Sequence, residues 1–381
     1  MLTAAGCLGR RERLWGAVPP GLDLLIVAAP EHLNYFAGYL ASPFAFRSNE
    51  SGALLALEPA RAILIADDMQ GPYLGKAFAD EVAAPPWYDG NRPAPERRGH
   101  LIASAMARLA AIPGRRLGVE LGAVPSGVVE GLRAARPGLE IVDIGPAIRP
   151  LRRSKDPDEV ACIRRAIRAG EAGHAAALAG VKPGMTELDA YLIVQNAAIA
   201  DIGEPAIVYG DFVSGPRTET ERGGPPTSRR IEAGDLLLLD FSVVHCGYRG
   251  DFTNTFAVGR PPKPRQRGLF DACAAALEAG EAALKPGATG HEVDAAVRRA
   301  FAARGLEHAF LSHSGHGIGL GHPEPPYLVP ESDETIQVGD VLALEPGLYI
   351  EGEGGMRFER NYLINADGPE RLSNHAIRLE P

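Results

Sequence analysis

Two stretches of this chain each close an apolar run on an acid. Ile231-Glu232-Ala233-Gly234-Asp235-Leu236-Leu237-Leu238-Leu239-Asp240 returns as Ile336-Gln337-Val338-Gly339-Asp340-Val341-Leu342-Ala343-Leu344-Glu345, with the Gly-Asp pair, the apolar run and the final carboxylate in register. A second acid follows each, Asp251 after Asp240 and Glu359 after Glu345, across the turn residues His245-Cys246-Gly247 and Gly352-Glu353-Gly354-Gly355. The pattern predicts two hairpins that each carry two carboxylates. Counting along the strands sets Asp240 opposite Asp251, with the turn centred on His245 and Cys246, and Glu345 opposite Glu359 about Gly352. Directly opposed Cβ atoms on one face lie about 5 Å apart, close enough for two carboxylates to hold one cation. Four acids in an apolar setting need a counter-charge, so the chemistry expected of them is metal binding.

Between the hairpins runs Ser312-His313-Ser314-Gly315-His316-Gly317-Ile318-Gly319-Leu320-Gly321-His322-Pro323-Glu324-Pro325-Pro326. Its glycines let imidazoles come close to a ligand. No βαβ fingerprint surrounds them and a histidine sits inside the loop, so a phosphate cradle is rejected. A neutral imidazole is a common transition-metal ligand, and the neighbouring acids call for a cation. His245 and Cys246 read as an exposed hairpin tip, Glu324 as part of a rigid loop at the site rim, and Asp235 and Asp340 as turn residues that satisfy backbone amides.

The elements that must position these groups repeat as well. Lys182-Pro183-Gly184-Met185-Thr186-Glu187-Leu188-Asp189 resembles Lys285-Pro286-Gly287-Ala288-Thr289-Gly290-His291-Glu292. Each half of the region therefore reads as helix, turn, helix and Gly-Asp hairpin. The period of about 100 residues exceeds that of any solenoid array and implies duplication with pseudo-twofold symmetry. Asp156-Pro157-Asp158-Glu159 opens a long helix reaching about Leu178, with proline in its first turn and acids at the positive end of the dipole. Upstream, strands are expected at Leu22 to Ala28, Gly52 to Leu57, Ala62 to Ala66, Leu117 to Glu120 and Leu139 to Ile144, with helices over 98–111 and 125–136, an α/β pattern. Pro30 to Gly38 is expected as a polar and aromatic loop that connects a strand to a helix, a reading preferred to that of a substrate contact. A domain boundary is expected near Arg149-Pro150.

At 381 residues the chain is long enough for two domains with separate cores. The net charge of −9 and the isoelectric point near 5.6 argue against nucleic-acid binding. Four scattered cysteines without CxxC spacing indicate neither a zinc knuckle nor a disulfide framework. No apolar run reaches the roughly 18 residues of a membrane span. The segment Met1 to Cys7 is too short for a signal-peptide core, so a cytoplasmic protein is expected.

Asp240, Asp251 within Gly250-Asp251-Phe252-Thr253-Asn254-Thr255-Phe256, His316 within Gly-His-Gly-Ile-Gly, Glu345 within Leu-Glu-Pro-Gly, and Glu359 within Gly355-Met356-Arg357-Phe358-Glu359 resemble the five ligands of the pita-bread metallopeptidases. That family holds methionine aminopeptidase, aminopeptidase P, prolidase and the non-peptidase creatinase. The first domain, with Asn34-Tyr35-Phe36-Ala37-Gly38, resembles the amino-terminal domain of the creatinase, prolidase and aminopeptidase P branch. The resemblance implies an α/β N-terminal domain over 1–148 and an α+β pita-bread catalytic domain over 149–381 with the internal duplication. It implies two divalent metal ions, manganese first among Mn, Co, Zn and Fe. Asp251 and Glu359 would bridge them, Asp240 would chelate one, and His316 with Glu345 would complete the other. Glu345 would shuttle a proton to the leaving nitrogen, Arg357 would steady the carboxylates, and His322 reads equally as a substrate contact or a structural residue at the Pro323 turn.

The implied activity is hydrolysis of the amide bond before proline, by an Xaa-Pro aminopeptidase or dipeptidase acting on small peptides as a homodimer. Peptidases of this branch carry a histidine upstream of the first metal aspartate, whereas this chain has none from Ala175 to Val244. Arg217 and Arg222 are candidates to polarise the carbonyl in its place, and each reads equally well as a surface charge. His322 also stands one residue nearer the Gly-His-Gly loop than its family counterpart, and His313 replaces a histidine expected at Ser312. The departures keep two further expectations open, a creatinase-like hydrolase or lyase of a small non-peptide and a metal-free binding or scaffold protein. The complete ligand set opposes the latter.

Overall fold

The structure is a computed structural model that describes residues 1–40, 52–220 and 223–380. They form two compact units, Met1–Arg152 and Arg153–Pro381.

The first unit begins with α1 (Ala4–Ala17), whose N-cap Thr3 accepts the Gly6 amide at 3.0 Å. It continues through β1 (Leu24–Val27), α2 (Pro30–Ala37), β2 (Leu54–Glu58), β3 (Arg61–Ile65), α3 (Gly71–Leu74), β4 (Glu81–Ala83), α4 (Arg97–Leu109), β5 (Arg116–Val119), α5 (Ser126–Ala135), β6 (Glu140–Asp143) and α6 (Gly145–Leu151). The six strands form one mixed sheet in the order β4-β3-β2-β1-β5-β6. Leu24, Ile26, Leu54, Ile63 and Leu117 from the sheet pack with Leu101, Ala105 and Val128 of α4 and α5. The expected strand-to-helix loop at Pro30 to Gly38 is itself the helix α2. Proline at its first positions and left-handed Gly38 at its C-cap delimit it, and it buries Leu33 to Ala37. Helix α1 is an element the sequence reading did not anticipate.

The second unit holds α7 (Pro157–Gly180), α8 (Glu187–Ile202), β7 (Ile207–Ser214), α9 (Arg217–Thr220), β8 (Leu236–His245), β9 (Tyr248–Ala257), α10 (Pro264–Ala283) and α11 (Gly290–Ala302). After them come β10 (Gly315–Gly317), β11 (Glu324–Leu328), β12 (Val341–Leu344), β13 (Gly347–Ile350), β14 (Gly354–Arg357), β15 (Arg360–Asn365) and β16 (Gly368–Arg371). The duplication is visible in the hydrogen bonds. Thr186 and Thr289 both build capping boxes, Gly184 and Gly287 donate to Ile231 and Ile336, and those residues donate back to Met185 and Ala288. Asp235 and Asp340 accept the amides of Glu232 and Gln337, each at 2.8 Å, as the turn chemistry predicts.

Strands β7, β8 and β9 form a three-stranded antiparallel sheet, and its period of two sorts apolar from acidic groups. Phe212, Phe241 and Phe252, successive across the three strands, are fully buried and stacked, with centroids 5.9 and 5.7 Å apart. Burial of each contributes about 1.5–3 kcal/mol. The residues just before them, Asp211, Asp240 and Asp251, face the other way.

Candidate metal centre

The β8–β9 register corrects the expected pairing. The turn is Cys246-Gly247, with φ of 53° and 81°, and His245 pairs with Tyr248. Two positive-φ residues define the tight hairpin loop whose twist matches the strands, and glycine supplies one without steric cost. Asp240 consequently lies opposite Thr253, and Asp251 opposite Ser242. The two acids are diagonal neighbours on one face. His245 is not an exposed tip residue either. It is buried, with Nε2 2.7 Å from Glu204 Oε1.

Glu345 and Glu359 stand where the chain changes partners. Leu344 pairs with Arg360 on one side, and Gly347 with Arg357 on the other. The register is continuous across both and the loop centres on Gly352, as counted from the sequence. The amide of Glu345 bonds Ser314 O at 2.8 Å and that of Glu359 bonds Thr253 O at 3.0 Å, so each acid is held by a neighbouring element. His316 sits mid-strand in β10. Its Nδ1 lies 3.0 Å from Gly317 O, an atom that only accepts, so Nδ1 donates and Nε2 is left to face the acids.

All five sequence-predicted ligands converge. Ligand atoms of Asp240, Asp251 and Glu359 lie within 4.8 Å of one another, and so do those of His316, Glu345 and Glu359. The two triplets share Glu359. His322, which sequence spacing left between two roles, reaches the same place, with Nε2 2.7 Å from Asp251 Oδ2, and forms a third triplet with Asp251 and His316. Asp251, His316, Glu345 and Glu359 are each under 10% exposed. A cavity of about 520 Å³ opens over them.

The electrostatics are those of a site built for cations. Burial, reinforced by Asp251, Glu345 and Asp240, drives the Glu359 carboxyl well above the usual range. Burial also pushes Asp240 up to about 8 despite the adjacent Arg357 guanidinium. Against its burial, Asp251 is held down at about 2 by His322, His316 and Ser242. His316, beside Glu345 at 3.1 Å, is raised to about 9 although burial opposes it. Buried Glu359 Oε1 has no hydrogen-bond partner among the described residues. An acceptor-only donor set of four carboxylates and one imidazole, with an orphaned buried oxygen at its centre, fits divalent metal ions.

Two hydroxyls that orient the carboxylates escaped the sequence reading, as did the partners of Arg357. Thr253 Oγ1 donates to Glu359 Oε2 at 2.7 Å, and Ser242 Oγ donates to Asp251 Oδ1 at 3.0 Å. Arg357 contacts Asp240, donates to Tyr349 OH at 3.0 Å and reaches Asp211 Oδ2 at 3.3 Å. His313, half exposed at the cavity, lies 3.6 Å from Glu345. Strand alternation alone flags Thr253 and Asp211. Glu324 is not a rim residue. It is buried, accepts from Lys155 Nζ at 2.9 Å, and caps the Gly321 amide at 3.0 Å. Arg217 is consumed by Glu187, a fully buried carboxylate that also takes the Ser214 and Thr227 hydroxyls at 2.8 and 2.6 Å. Arg222 lies outside the described residues.

Fold and site together define a two-domain metallohydrolase. The chain belongs to metallopeptidase family M24, whose model matches residues 161–366, and the creatinase/prolidase N-terminal domain model matches residues 20–154. An uncharacterized peptidase of Bacillus subtilis is 30% identical over 295 residues, 74% of this chain and 80% of that one. The Xaa-Pro dipeptidase of Pyrococcus furiosus is 29% identical over 262 residues, 68% of this chain and 73% of its own. Among solved structures, an Xaa-Pro dipeptidase from Bacillus anthracis superimposes with a TM-score of 0.82, covering 98% of this chain and 99% of that one at 23% identity, a likeness of fold. The pita-bread architecture expected from the ligand motifs is thus present. Family membership implies divalent metal cofactors. No described helix is long and apolar enough to cross a membrane.

Proposed function

We propose that the protein is a dinuclear metal-dependent peptidase that cleaves the amide bond before proline, as an Xaa-Pro dipeptidase or aminopeptidase. The observation that carries this reading is the pair of ligand triplets sharing Glu359 at the floor of one cavity. The Xaa-Pro specificity named for the Pyrococcus furiosus and Bacillus anthracis relatives supports the substrate class.

In this reading Asp240, Asp251, His316, Glu345 and Glu359 hold two divalent ions. Manganese is favoured, ahead of cobalt, zinc and iron, because oxygen donors dominate the set. When bound, such a pair activates water and polarises the scissile carbonyl. The remaining work falls to side chains. Glu345, near His313 and His316, carries the proton to the leaving nitrogen. His322 sits at the cavity wall with one nitrogen on Asp251, placed to contact the substrate. Arg357 orients Asp240 and, through Tyr349, is itself held in place.

A homodimer is proposed from the family resemblance, and a cytoplasmic setting from the four free cysteines. A second reading, a creatinase-like hydrolase or lyase of a small non-peptide, is favoured by one feature: Gly223-Gly224-Pro225 stands in the segment where the branch carries its upstream histidine. Xaa-Pro dipeptides and longer Xaa-Pro peptides assayed with added Mn or Co separate the two. Cleavage before proline is expected. No turnover of any peptide, with turnover in a panel of small amides and amines, would replace the first reading by the second. A preparation that binds no metal and gains no melting temperature from one would revive the scaffold alternative.

A further inference from the structure

The cavity holds a carboxylate outside the proposed ligand set. Asp211 on β7 lies directly across the ladder from Asp240 and lines the same cavity, yet it joins none of the ligand triplets among the described residues. Its side chain is 36% exposed, the most open of the three acids along that sheet face. The group is nevertheless aimed. Oδ1 accepts the Gly224 amide at 2.8 Å, and Oδ2 faces Arg357 Nη2 at 3.3 Å.

The chain is shaped around this carboxylate. A Cβ on Gly223 would overlap Asp211 Oδ2 and push the carboxylate aside, so the glycine lets the segment close on it in this position, and Pro225 just beyond forms part of the cavity wall. In the segment where related peptidases place an imidazole, this chain thus presents bare backbone with an acid behind it. An ionised carboxylate accepts about four hydrogen bonds, and the described residues supply two. The Arg357 guanidinium is shared, since it contacts Asp240 as well as Asp211. The uncommitted lone pairs lie at the cavity beside Asp240. They suit a compact cationic donor with several N–H bonds, which is the chemistry of a primary ammonium group.

We infer that Asp211 binds the protonated α-amino group of the substrate and selects peptides with a free N-terminus. The assignment rests on the peptidase reading and deepens it. A charge-assisted hydrogen bond of this kind corresponds to roughly a 10- to 100-fold effect on binding. The test compares Ala-Pro with propionyl-proline, which lacks only the amine, the latter followed as substrate or as competitive inhibitor. For Asp211→Asn, which keeps the acceptor for Gly224, kcat/KM on Ala-Pro is expected to fall about 10- to 100-fold, mainly through KM. The KM or inhibition constant of propionyl-proline should stay within about 3-fold of wild type. An equal loss on both compounds would mean that Asp211 acts by holding Arg357, and would overturn the assignment, as would no loss on either. Absence of Xaa-Pro cleavage by the wild-type enzyme sinks the peptidase reading and this assignment with it. Wild-type cleavage with the wrong selectivity in the variant sinks this assignment alone.

Discussion

Thr253 donates its hydroxyl to Oε2 of Glu359 at 2.7 Å, while Oε1 of the same buried carboxylate takes no hydrogen bond from the described residues. One oxygen is fixed by β9 and the other is reserved for the centre of the site. Because both ligand triplets contain Glu359, a change here should be felt by both ions. Glu359→Gln is expected to abolish the rise in melting temperature produced by Mn and to lower activity on the order of 10³-fold, the equivalent of several kcal/mol of lost charge stabilisation. The metal-free variant should be at least as stable as the metal-free wild type, since burial penalises the carboxylate that is removed. Calorimetric melts with and without Mn check both statements.

Removal of the Thr253 hydroxyl should weaken the metals without unfolding the chain. Groups that orient ligands typically account for 10- to 100-fold in metal affinity. Thr253→Val keeps shape and β-branching, so the metal dissociation constant should rise by about that factor while the circular dichroism spectrum stays that of wild type. A metal titration followed by fluorescence or calorimetry reads the difference.

Lys155 and Glu324 form a buried ion pair 2.9 Å apart, and Glu324 also caps Gly321, next to His322. Lys155→Met removes the cation and leaves the acid buried, a change that typically costs about 3–5 kcal/mol. The urea midpoint should fall accordingly. Activity should fall further than the loss of folded protein explains, because the loop carrying His322 loses its anchor.

Acid stability should depend on His174. Burial, together with Arg360 and Arg378, pushes its imidazole down from 6.5 to about 4. It packs edge-on against His375, which burial also drives well below 6.5. The unfolded chain therefore binds more protons than the folded one in this window. The stabilisation is full above pH 6.5 and is lost as pH falls toward about 4, reaching roughly 3 kcal/mol for His174. His174→Gln should melt with a visibly shallower pH dependence between pH 4 and 7 than wild type. An unchanged slope would show that other groups set the acid limit.

The candidate metal ligands could be picked out in the linear chain, because a strand that ends on an acid, twice, with a glycine-flanked histidine between, is a local pattern, and the motifs around Asp251 and Glu359 complete the resemblance. Helix α7, both Thr-capped helices and most strands of the first unit were legible for the same reason, since capping and period-two burial depend on neighbours in sequence. What counting could not decide was register. The Cys246-Gly247 turn shifts the partner of Asp240 from Asp251 to Thr253, and only the backbone conformation at the turn selects between them. Nor could sequence order show which side chains meet across the duplication. Thr253 with Glu359, Lys155 with Glu324, and Asp211 with Arg357 are separated by 106, 169 and 146 positions. The five candidate ligands and the chemistry of their donor atoms were set by the sequence alone. Their sharing of Glu359, the arrival of His322 at Asp251 and the acid at the cavity wall were decided by the tertiary structure, because each depends on where strands from distant parts of the chain are brought to lie against one another.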